Sequence, residues 1–256
     1  MRVTLNGIVS SDEDRWIYEF FGYSAFSPEQ VRQAIAENPE GEELILEINS
    51  GGGSVMAGSE IYSVLRSAEG VETRAEIQSL AASAASYLAL GCDVVMISPV
   101  AQMMMHLPST CTEGDRDDHM VSVRMLDAVR DSILNAYEIK AAGKADRAEL
   151  RRMMSSETWL TAQQARELGL VDGILFEDEG NALPQNIMNA AGAGIRALGA
   201  SGGVPNIARL RDEYRRLNPP APEEPDPEAS TGGAPEAHNS QSWQAEARLA
   251  LEKIRF

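Results

Sequence analysis

Ser83 and His106 are the two side chains whose types and surroundings could support nucleophilic chemistry. Ser83 stands in the run Ala81-Ala-Ser-Ala-Ala85, with only small residues beside it. The residues before it continue a strand-like stretch from Val71, and a short apolar pattern closed by Gly91 follows, which is typical of a strand that turns directly into a buried helix. A helix begins with unpaired N–H groups and the positive end of its dipole, so an anion formed beside Ser83 would meet hydrogen-bond donors.

The base that such a serine requires must come from one of three histidines. His106 ends the apolar run Met103-Met-Met-His, so it falls at the carboxyl end of a predicted buried strand, where α/β proteins usually place their sites. His119 opens a charged helix, and His238 lies in a segment of biased composition. His106 is therefore the candidate base; the alternative is a hydrogen-bonded core imidazole with no serine nearby.

A run of three glycines, Gly51–Gly53, follows one predicted strand and precedes a helix. Glycines at such a turn let the backbone approach a ligand and present N–H groups to it. A phosphate-binding loop is the alternative, but no lysine follows at the Walker spacing and the dinucleotide-binding glycine pattern does not match. A tight turn without a ligand also remains open.

Hydrophobic periodicity and helix-capping residues predict an alternation of strands and helices. Two capping boxes are expected, Ser27 with Gln30 and Thr161 with Gln164. The alternation predicts an α/β fold with a mostly parallel sheet and helices on its faces. The predicted strands cover residues 2–9, 43–49, 71–78, 93–97, 101–105 and 173–176, and the predicted helices cover 27–38, 54–68, 82–90, 117–142, 146–154 and 161–169.

Composition excludes several classes of function. The net charge of −17 disfavours binding to nucleic acid or to an anionic membrane. The two cysteines do not form a Cys-x-x-Cys pair, so neither a zinc ribbon nor a disulfide scaffold is expected, and we expect no metal. No run of 18 apolar residues suggests a membrane span, and the N-terminus lacks the pattern of a signal peptide. An intracellular, reducing compartment is the expectation.

The composition changes after about residue 180. Residues 190–203 are rich in Gly and Ala, and residues 219–235 are rich in Pro and Glu, so this part is expected to be largely disordered. Two short amphipathic helices are predicted within it, at 206–217 and 242–256, each too short to be stable alone. We predict a domain at 1–178 and a flexible tail at 179–256 whose helices order against a partner; a disordered tail without a partner is the alternative.

Four short motifs stand in order along residues 1–178. They are Ile48–Gly58, Leu80–Ser86, Met104–Pro108 and the segment from Glu157 to Gly173. Together they resemble the Clp-type serine peptidases, most closely the phage head-maturation branch. The resemblance implies a Clp/crotonase-like fold of repeated β-β-α units, with a projecting long helix at 117–143.

The resemblance also implies a role for each site residue. Ser83 is the nucleophile, His106 the base and Glu157 the third triad member, which orients the base. The backbone N–H groups of Gly52 and Ala84 form the oxyanion hole. An extended substrate is expected to lie as an added strand beside the turn that contains Gly53.

Three positions depart from the family pattern. Glu157 stands where better-known members carry Asp, Ser79 replaces a glycine, and Gly51 replaces a proline. None of these changes removes a chemical group, although each could slow catalysis. Ser86, three residues beyond Ser83, lies about one helical turn deeper, so we expect it to be buried and to pack against a neighbour.

The implied function is an ATP-independent serine endopeptidase without a cofactor. It would form a homo-oligomeric ring in the host cytoplasm or the immature phage head and cleave extended scaffold or capsid polypeptides. The alternatives are a housekeeping-type Clp subunit that works with an unfoldase, and an assembly protein with a vestigial peptidase domain. An acyl-CoA-binding crotonase relative is disfavoured because residues 1–65 hold three arginines and no lysine, and a Ser–Lys peptidase because no lysine precedes Lys140.

Overall fold

The computed structural model describes residues 1–177 and 204–219. The chain forms two compact units. The first consists of residues 1–15 and 24–204, and the second of residues 16–23 together with the chain from residue 205 onward. The domain boundary predicted between residues 178 and 179 stays a prediction.

Strands and helices alternate along the described residues; all the strands lie in the first unit, and α8 and nearly all of α1 lie in the second. The strands are β1 (Arg2–Val9), β2 (Ala25–Phe26), β3 (Leu44–Gly53), β4 (Thr73–Ala82), β5 (Val94–Ile97), β6 (Gln102–Met105), β7 (Thr158–Thr161) and β8 (Gly173–Ile174). The helices of the described residues are α1 (Arg15–Phe20), α2 (Pro28–Glu37), α3 (Val55–Arg66), α4 (Ala84–Leu88), α5 (Arg116–Ala141), α6 (Arg147–Ser155), α7 (Ala162–Glu167) and α8 (Ile207–Leu217), and a 3₁₀ turn at Ala89–Gly91 follows α4.

One mostly parallel sheet carries the fold, in the order β2-β1-β3-β4-β5-β8. The first part of β4, residues 74–77, pairs with β5, and its last residues, 80–82, pair in parallel with β6. β7 then pairs with β6 in the antiparallel direction. The mixed α/β class with a parallel sheet is therefore confirmed, while the repeated β-β-α units stay a prediction.

The central strands are buried because their sequences are nearly continuous apolar runs, as parallel strands covered by helices require. Leu44, Leu46 and Ile48 of β3 are fully buried, as are Ala75 and Ile77 of β4. These side chains belong to one continuous core. Burial of a leucine or isoleucine stabilises a fold by about 1.5–3 kcal/mol, so the strands next to the site are also the most strongly anchored.

Several local predictions differ from the structure. The strand predicted at 71–78 runs on to Ala82, because residues 80–82 find a second partner in β6. The short elements α1, β2 and β7 were not predicted. Ser27 does precede α2 as its N-cap, but its side chain makes no capping bond, so the predicted box with Gln30 is wrong. The box of Thr161 with Gln164 is confirmed.

The long helix α5 differs in burial along its length. Asp115 and Asp118 form a capping box at its start, and Ala142 in the left-handed conformation ends it. One face of its C-terminal part is buried, whereas Val121 and Met125 near its start are exposed although they are apolar. The long helix implied by the resemblance at 117–143 is present, as α5.

In the second unit, α8 lies against α1 through aromatic rings. The ring of Tyr214 meets Trp16 edge-on at 4.7 Å and Phe20 at 5.0 Å between centroids. Asn206 caps α8 by accepting a hydrogen bond from the amide of Arg209. The helix predicted at 206–217 is thus confirmed, and its contact lies within its own chain; the helix predicted at 242–256 lies outside the described residues.

A search of residues 1–177 and 204–219 for a membrane-spanning helix finds none with the necessary length and apolar character.

Candidate active site

Ser83 is the single residue between strand β4 and helix α4. Its backbone has φ 53° and ψ −123°, a region that residues with a side chain rarely adopt. The amide of Ser83 donates to the carbonyl of Met104 in β6 at 2.9 Å, which ties the turn to the neighbouring strand. A strained conformation persists only where the surroundings fix it, and it is one way in which proteins hold a functional group in place.

His106 follows β6 immediately, at the same end of the sheet. Because β6 pairs with the last residues of β4, with Ala82 opposite Met104, the two strands bring Ser83 and His106 together. The Nε2 atom of His106 lies 2.7 Å from the Oγ atom of Ser83. This is the hydrogen-bond distance expected between a nucleophile and its general base.

The imidazole of His106 is partly buried. Burial lowers its pKa below the usual value because it disfavours the imidazolium, while the charge of Glu157 acts in the opposite direction. The ring is therefore neutral near pH 7, and a neutral ring can accept a proton from Ser83.

Glu157 lies between α6 and β7. The antiparallel register of β6 and β7 ends with Thr158 opposite Met105, and Glu157 and His106 are the residues that adjoin this last pair in the chain. Its backbone φ is 46°, and its Oε1 atom accepts a hydrogen bond from the indole of Trp159 at 3.4 Å. Within the described residues, no hydrogen bond joins this carboxylate to the imidazole, so its effect on His106 is through charge.

The three glycines that were predicted as a turn after the strand at 43–49 are instead the last residues of β3, directly beside the serine. A methyl group built on Gly52 would lie 2.6 Å from the Cβ atom of Ser83 and 3.0 Å from the amide nitrogen of Ala84, and φ at Gly52 is +96°. A methyl group on Gly53 would lie 2.2 Å from the carbonyl oxygen of Val9 in β1. Glycine is thus required at both positions, at Gly52 by the approach to Ser83 and at Gly53 by the packing on β1.

The two residues whose backbone N–H groups are predicted as oxyanion donors, Gly52 and Ala84, are close neighbours, since a methyl group built on Gly52 would lie 3.0 Å from the Ala84 nitrogen. Ala84 is the first residue of α4, where the helix itself supplies no acceptor for the amide. The amide of Gly52 donates to the Oγ atom of Ser50 at 3.1 Å, and the hydroxyl of Ser50 donates to the carbonyl of Gly7 at 2.6 Å. Ser50 therefore holds the glycines at the end of β3 against β1, a role that no sequence pattern indicates.

A recess opens beside Ser83 and His106. Its empty volume is about 230 Å³ when the adjoining open solvent is included, and its lining combines apolar side chains with hydroxyl and imidazole groups. The lining residues other than Ser83 and His106 are Val55, Ala84, Tyr87, Pro108, Ile133 and Tyr137. The sequence did not indicate Tyr137 as a site residue, because its place within α5 gives no sign that its side chain would reach Ser83.

Ser86 is buried, as predicted, with 1% of its surface exposed. Its hydroxyl lies within hydrogen-bond distance of both the Ser83 carbonyl and the Tyr137 hydroxyl. It faces away from the nucleophilic oxygen, into the protein.

Comparison with known proteins identifies a family for the chain that forms this site. Residues 30–178 match the family model of the Clp protease. The chain belongs to the Clp protease family. This matched region contains Ser83, His106 and Glu157, the three residues that the site brings to one edge of the sheet.

Individual Clp proteases resemble the chain over much of their length. The ATP-dependent Clp protease proteolytic subunit 1 of Chlamydia trachomatis serovar D is 34% identical over 145 residues, which cover 54% of this chain and 72% of that protein. The protein of the same name from Chlamydia abortus is 32% identical over 144 residues, with 54% and 72% covered. Membership in the Clp protease family implies peptidase activity of the serine type.

Proposed function

We propose that the chain is a serine endopeptidase that cleaves extended polypeptides through an acyl-enzyme intermediate. The observation that carries the proposal is the 2.7 Å distance between His106 Nε2 and Ser83 Oγ, at a strand-to-helix turn beside two backbone amides. A vestigial domain would have no need to keep a strained serine within hydrogen-bond distance of a neutral imidazole.

In the proposed reaction, the Oγ atom of Ser83 attacks the peptide carbonyl carbon while Nε2 of His106 takes the hydroxyl proton. The amides of Gly52 and Ala84 stabilise the oxyanion of the tetrahedral intermediate, for which the Gly52 amide must share or leave its bond to Ser50. The imidazolium then gives its proton to the leaving amine. Water, activated by the same imidazole, releases the acyl group and restores Ser83.

Glu157 is proposed as the group that stabilises the imidazolium. The effect of its charge on the pKa of that ring, and its place in the chain next to the last pair of β6 and β7, support the assignment. The carboxylate would have to move before it could accept a hydrogen bond from the imidazole.

We propose further that the enzyme acts without ATP, as a homo-oligomeric ring that matures a phage head by cleaving scaffold or capsid segments. The motif resemblance and the long C-terminal extension support this assignment. The names of the Chlamydia relatives favour a second candidate, in which the chain is the proteolytic subunit of an ATP-dependent complex.

The first prediction concerns Ser83→Ala. Wild-type protein is expected to degrade fluorescein-labelled casein without any nucleotide and to react with an alkyl fluorophosphonate, whereas Ser83→Ala should do neither, because only the wild type has the attacking oxygen. Ser79→Ala, which removes a nearby serine of β4 instead, is the matched control and should keep the labelling. Labelling that persists in Ser83→Ala would refute the assignment of the nucleophile.

The same preparations separate the two candidate roles. Degradation of casein without nucleotide supports the ATP-independent enzyme. Activity towards casein that appears only after an ATP-driven unfoldase is added would favour the second candidate, while phosphonate labelling would be retained in both cases.

A further inference from the structure

The carbonyl group of Ser83 is held by two hydrogen bonds from one residue. The amide of Ser86 donates to it at 3.0 Å, and the hydroxyl of Ser86 donates to it at 2.6 Å. The second bond is not needed to form the helix, because the amide already closes the first turn of α4. It is an additional constraint on the peptide group that follows the proposed nucleophile.

The hydroxyl of Tyr137 extends this arrangement by one more bond. It lies 2.5 Å from the Oγ atom of Ser86. A serine hydroxyl has one proton, and that proton is given to the carbonyl of Ser83, so Tyr137 must be the donor to Ser86. The direction is therefore fixed: the Tyr137 hydroxyl donates to Ser86, and the Ser86 hydroxyl donates to Ser83.

Such a chain of donors acts on the oxyanion hole because a peptide group is planar and trans. The carbonyl of Ser83 and the amide of Ala84 belong to the same peptide group and point in opposite directions. Fixing the oxygen on the buried side therefore fixes the N–H on the other side, where Gly52 adjoins it. Hydrogen bonds in a chain also polarise one another, which strengthens the last donor.

We propose that Ser86 and Tyr137 are positioning residues that aim the amide of Ala84 at the oxyanion through the carbonyl of Ser83. The inference rests on the proposed function and assigns to α5 a direct connection to the site. Neither residue touches the substrate carbonyl in this scheme, and both act through the peptide group between residues 83 and 84.

The burial of Tyr137 suits this role. Its side chain is among the largest that are fully buried, and burial raises its pKa well above the usual value of a phenol. The hydroxyl therefore stays protonated throughout the working range of a histidine-dependent enzyme. Its ring also meets Tyr87 edge-on at 6.5 Å between centroids.

The test compares Ser86→Ala, Tyr137→Phe and the double variant with wild type. The readouts are the rate of fluorophosphonate labelling, and kcat and KM on an internally quenched peptide that wild type cleaves. Loss of a whole oxyanion donor costs about 10²–10³ in kcat, so loss of its positioning is expected to cost about tenfold in Ser86→Ala. KM should stay within about twofold, because ground-state binding does not use this amide.

The double variant separates a chain of bonds from two independent packing effects. If Tyr137 acts only through Ser86, the double variant should lose no more activity than Ser86→Ala does. The Ki of a peptide boronic acid, which binds as a tetrahedral anion, should rise by the same factor as kcat/KM falls. A role in packing alone would not produce this parallel change.

Matched controls come from helix α3. Ser63→Ala removes a hydroxyl that donates to a helix carbonyl, that of Ser59 at 2.9 Å, and Tyr62→Phe removes a phenol hydroxyl. Both controls should stay within about twofold of wild type in kcat, since neither hydroxyl borders the proposed catalytic groups.

The inference would be overturned if the two site variants kept the wild-type kcat and labelling rate. It would also be overturned if the losses added in the double variant, if only KM changed, or if the control variants lost as much activity. If Ser86→Ala fails to fold by circular dichroism, Tyr137→Phe decides by the same criteria, because it keeps the ring. The proposed function has a separate test: it would be refuted if the wild-type protein did not react with the fluorophosphonate.

Discussion

The charge of His106 determines the pH at which the site can act. The base must be neutral, and burial keeps its pKa below the ordinary value for histidine, so activity is expected to rise with pH through a midpoint below 6.5 and then reach a plateau. The charge of Glu157 raises this pKa, and its removal should therefore lower it.

The second prediction is that Glu157→Gln moves the acid limb of kcat/KM to lower pH and also reduces the plateau, because a neutral amide neither raises the pKa of His106 nor stabilises the imidazolium. The measurement is a pH profile between 4.5 and 9. Glu167→Gln, at an exposed position in α7, should leave the limb where it is. A limb that moves to higher pH in Glu157→Gln would contradict the sign of the interaction.

At the scale of single residues, the sequence could predict Ser83 and His106, because each ends a recognisable element at the same edge of a parallel sheet. It could not predict Ser50 or Tyr137 as parts of the site. The Ser50 hydroxyl donates to the carbonyl of Gly7, 43 residues away, and Tyr137 lies 51 residues beyond its partner Ser86, so both roles depend on packing between elements far apart in the chain. Propensity and periodicity describe residues that are close along the chain, so they do not show which distant residues come into contact after folding.

At the scale of elements, the end of β3 and the beginning of α4 must approach closely. Gly52→Ala would place a methyl group 2.6 Å from the Cβ atom of Ser83, in a backbone conformation with φ +96° that alanine rarely adopts. Two carbon atoms cannot approach to this distance, so the backbone around residue 52 would have to move. The close packing of the end of β3 against the start of α4 therefore requires a residue without a side chain at position 52.

The third prediction is that Gly52→Ala lowers the rate of fluorophosphonate labelling by about a hundredfold or more, since the turn and its amide must move away from the serine. Gly51→Ala is the matched comparison, because no atom lies within 4 Å of its added methyl group. It should retain at least about a tenth of the wild-type rate. Equal losses in the two variants would show that the loop, and not the contact with Ser83, sets the rate.

The elements themselves were predictable in proportion to their length and regularity. The long helix α5 and the buried strand β3 have strong periodic or continuous apolar patterns. The two-residue strand β2 and the six-residue helix α1 have patterns too short to read, and both depend on contacts made after folding. The end of β4 was misplaced for a similar reason, because Ala81 and Ala82 are small residues without a strand pattern, and residues 80–82 extend the strand by pairing with β6.

At the scale of the whole molecule, the chain forms two units, and the smaller one contains a helix from the C-terminal region. That helix, α8, meets α1 through Tyr214, whose ring contacts Trp16 and Phe20 edge-on. Each aromatic pair of this kind contributes about 0.5–1.5 kcal/mol beyond the area that it buries. The aromatic contacts are therefore a substantial part of what keeps this short helix folded.

The fourth prediction is that Tyr214→Ala makes α8 sensitive to trypsin, because local opening of the helix exposes Arg209 and Arg215 to cleavage. We expect the rate of cleavage within 207–217 to rise about tenfold, which corresponds to the loss of two aromatic contacts. Asp212→Ala, on the exposed side of the same helix, should change the rate by less than about twofold. Equal sensitivity in the two variants would mean that Tyr214 does not hold the helix.

The positive φ of Ser83 has a consequence for the history of the protein. A turn with these angles is most easily made by glycine, so the hydroxymethyl group costs about 1 kcal/mol or more in folding stability. Selection for robustness alone would favour Gly at residue 83. A lineage that no longer needed the hydroxyl group would be expected to drift towards glycine. The serine retained here therefore indicates selection for the hydroxyl group and not for folding stability.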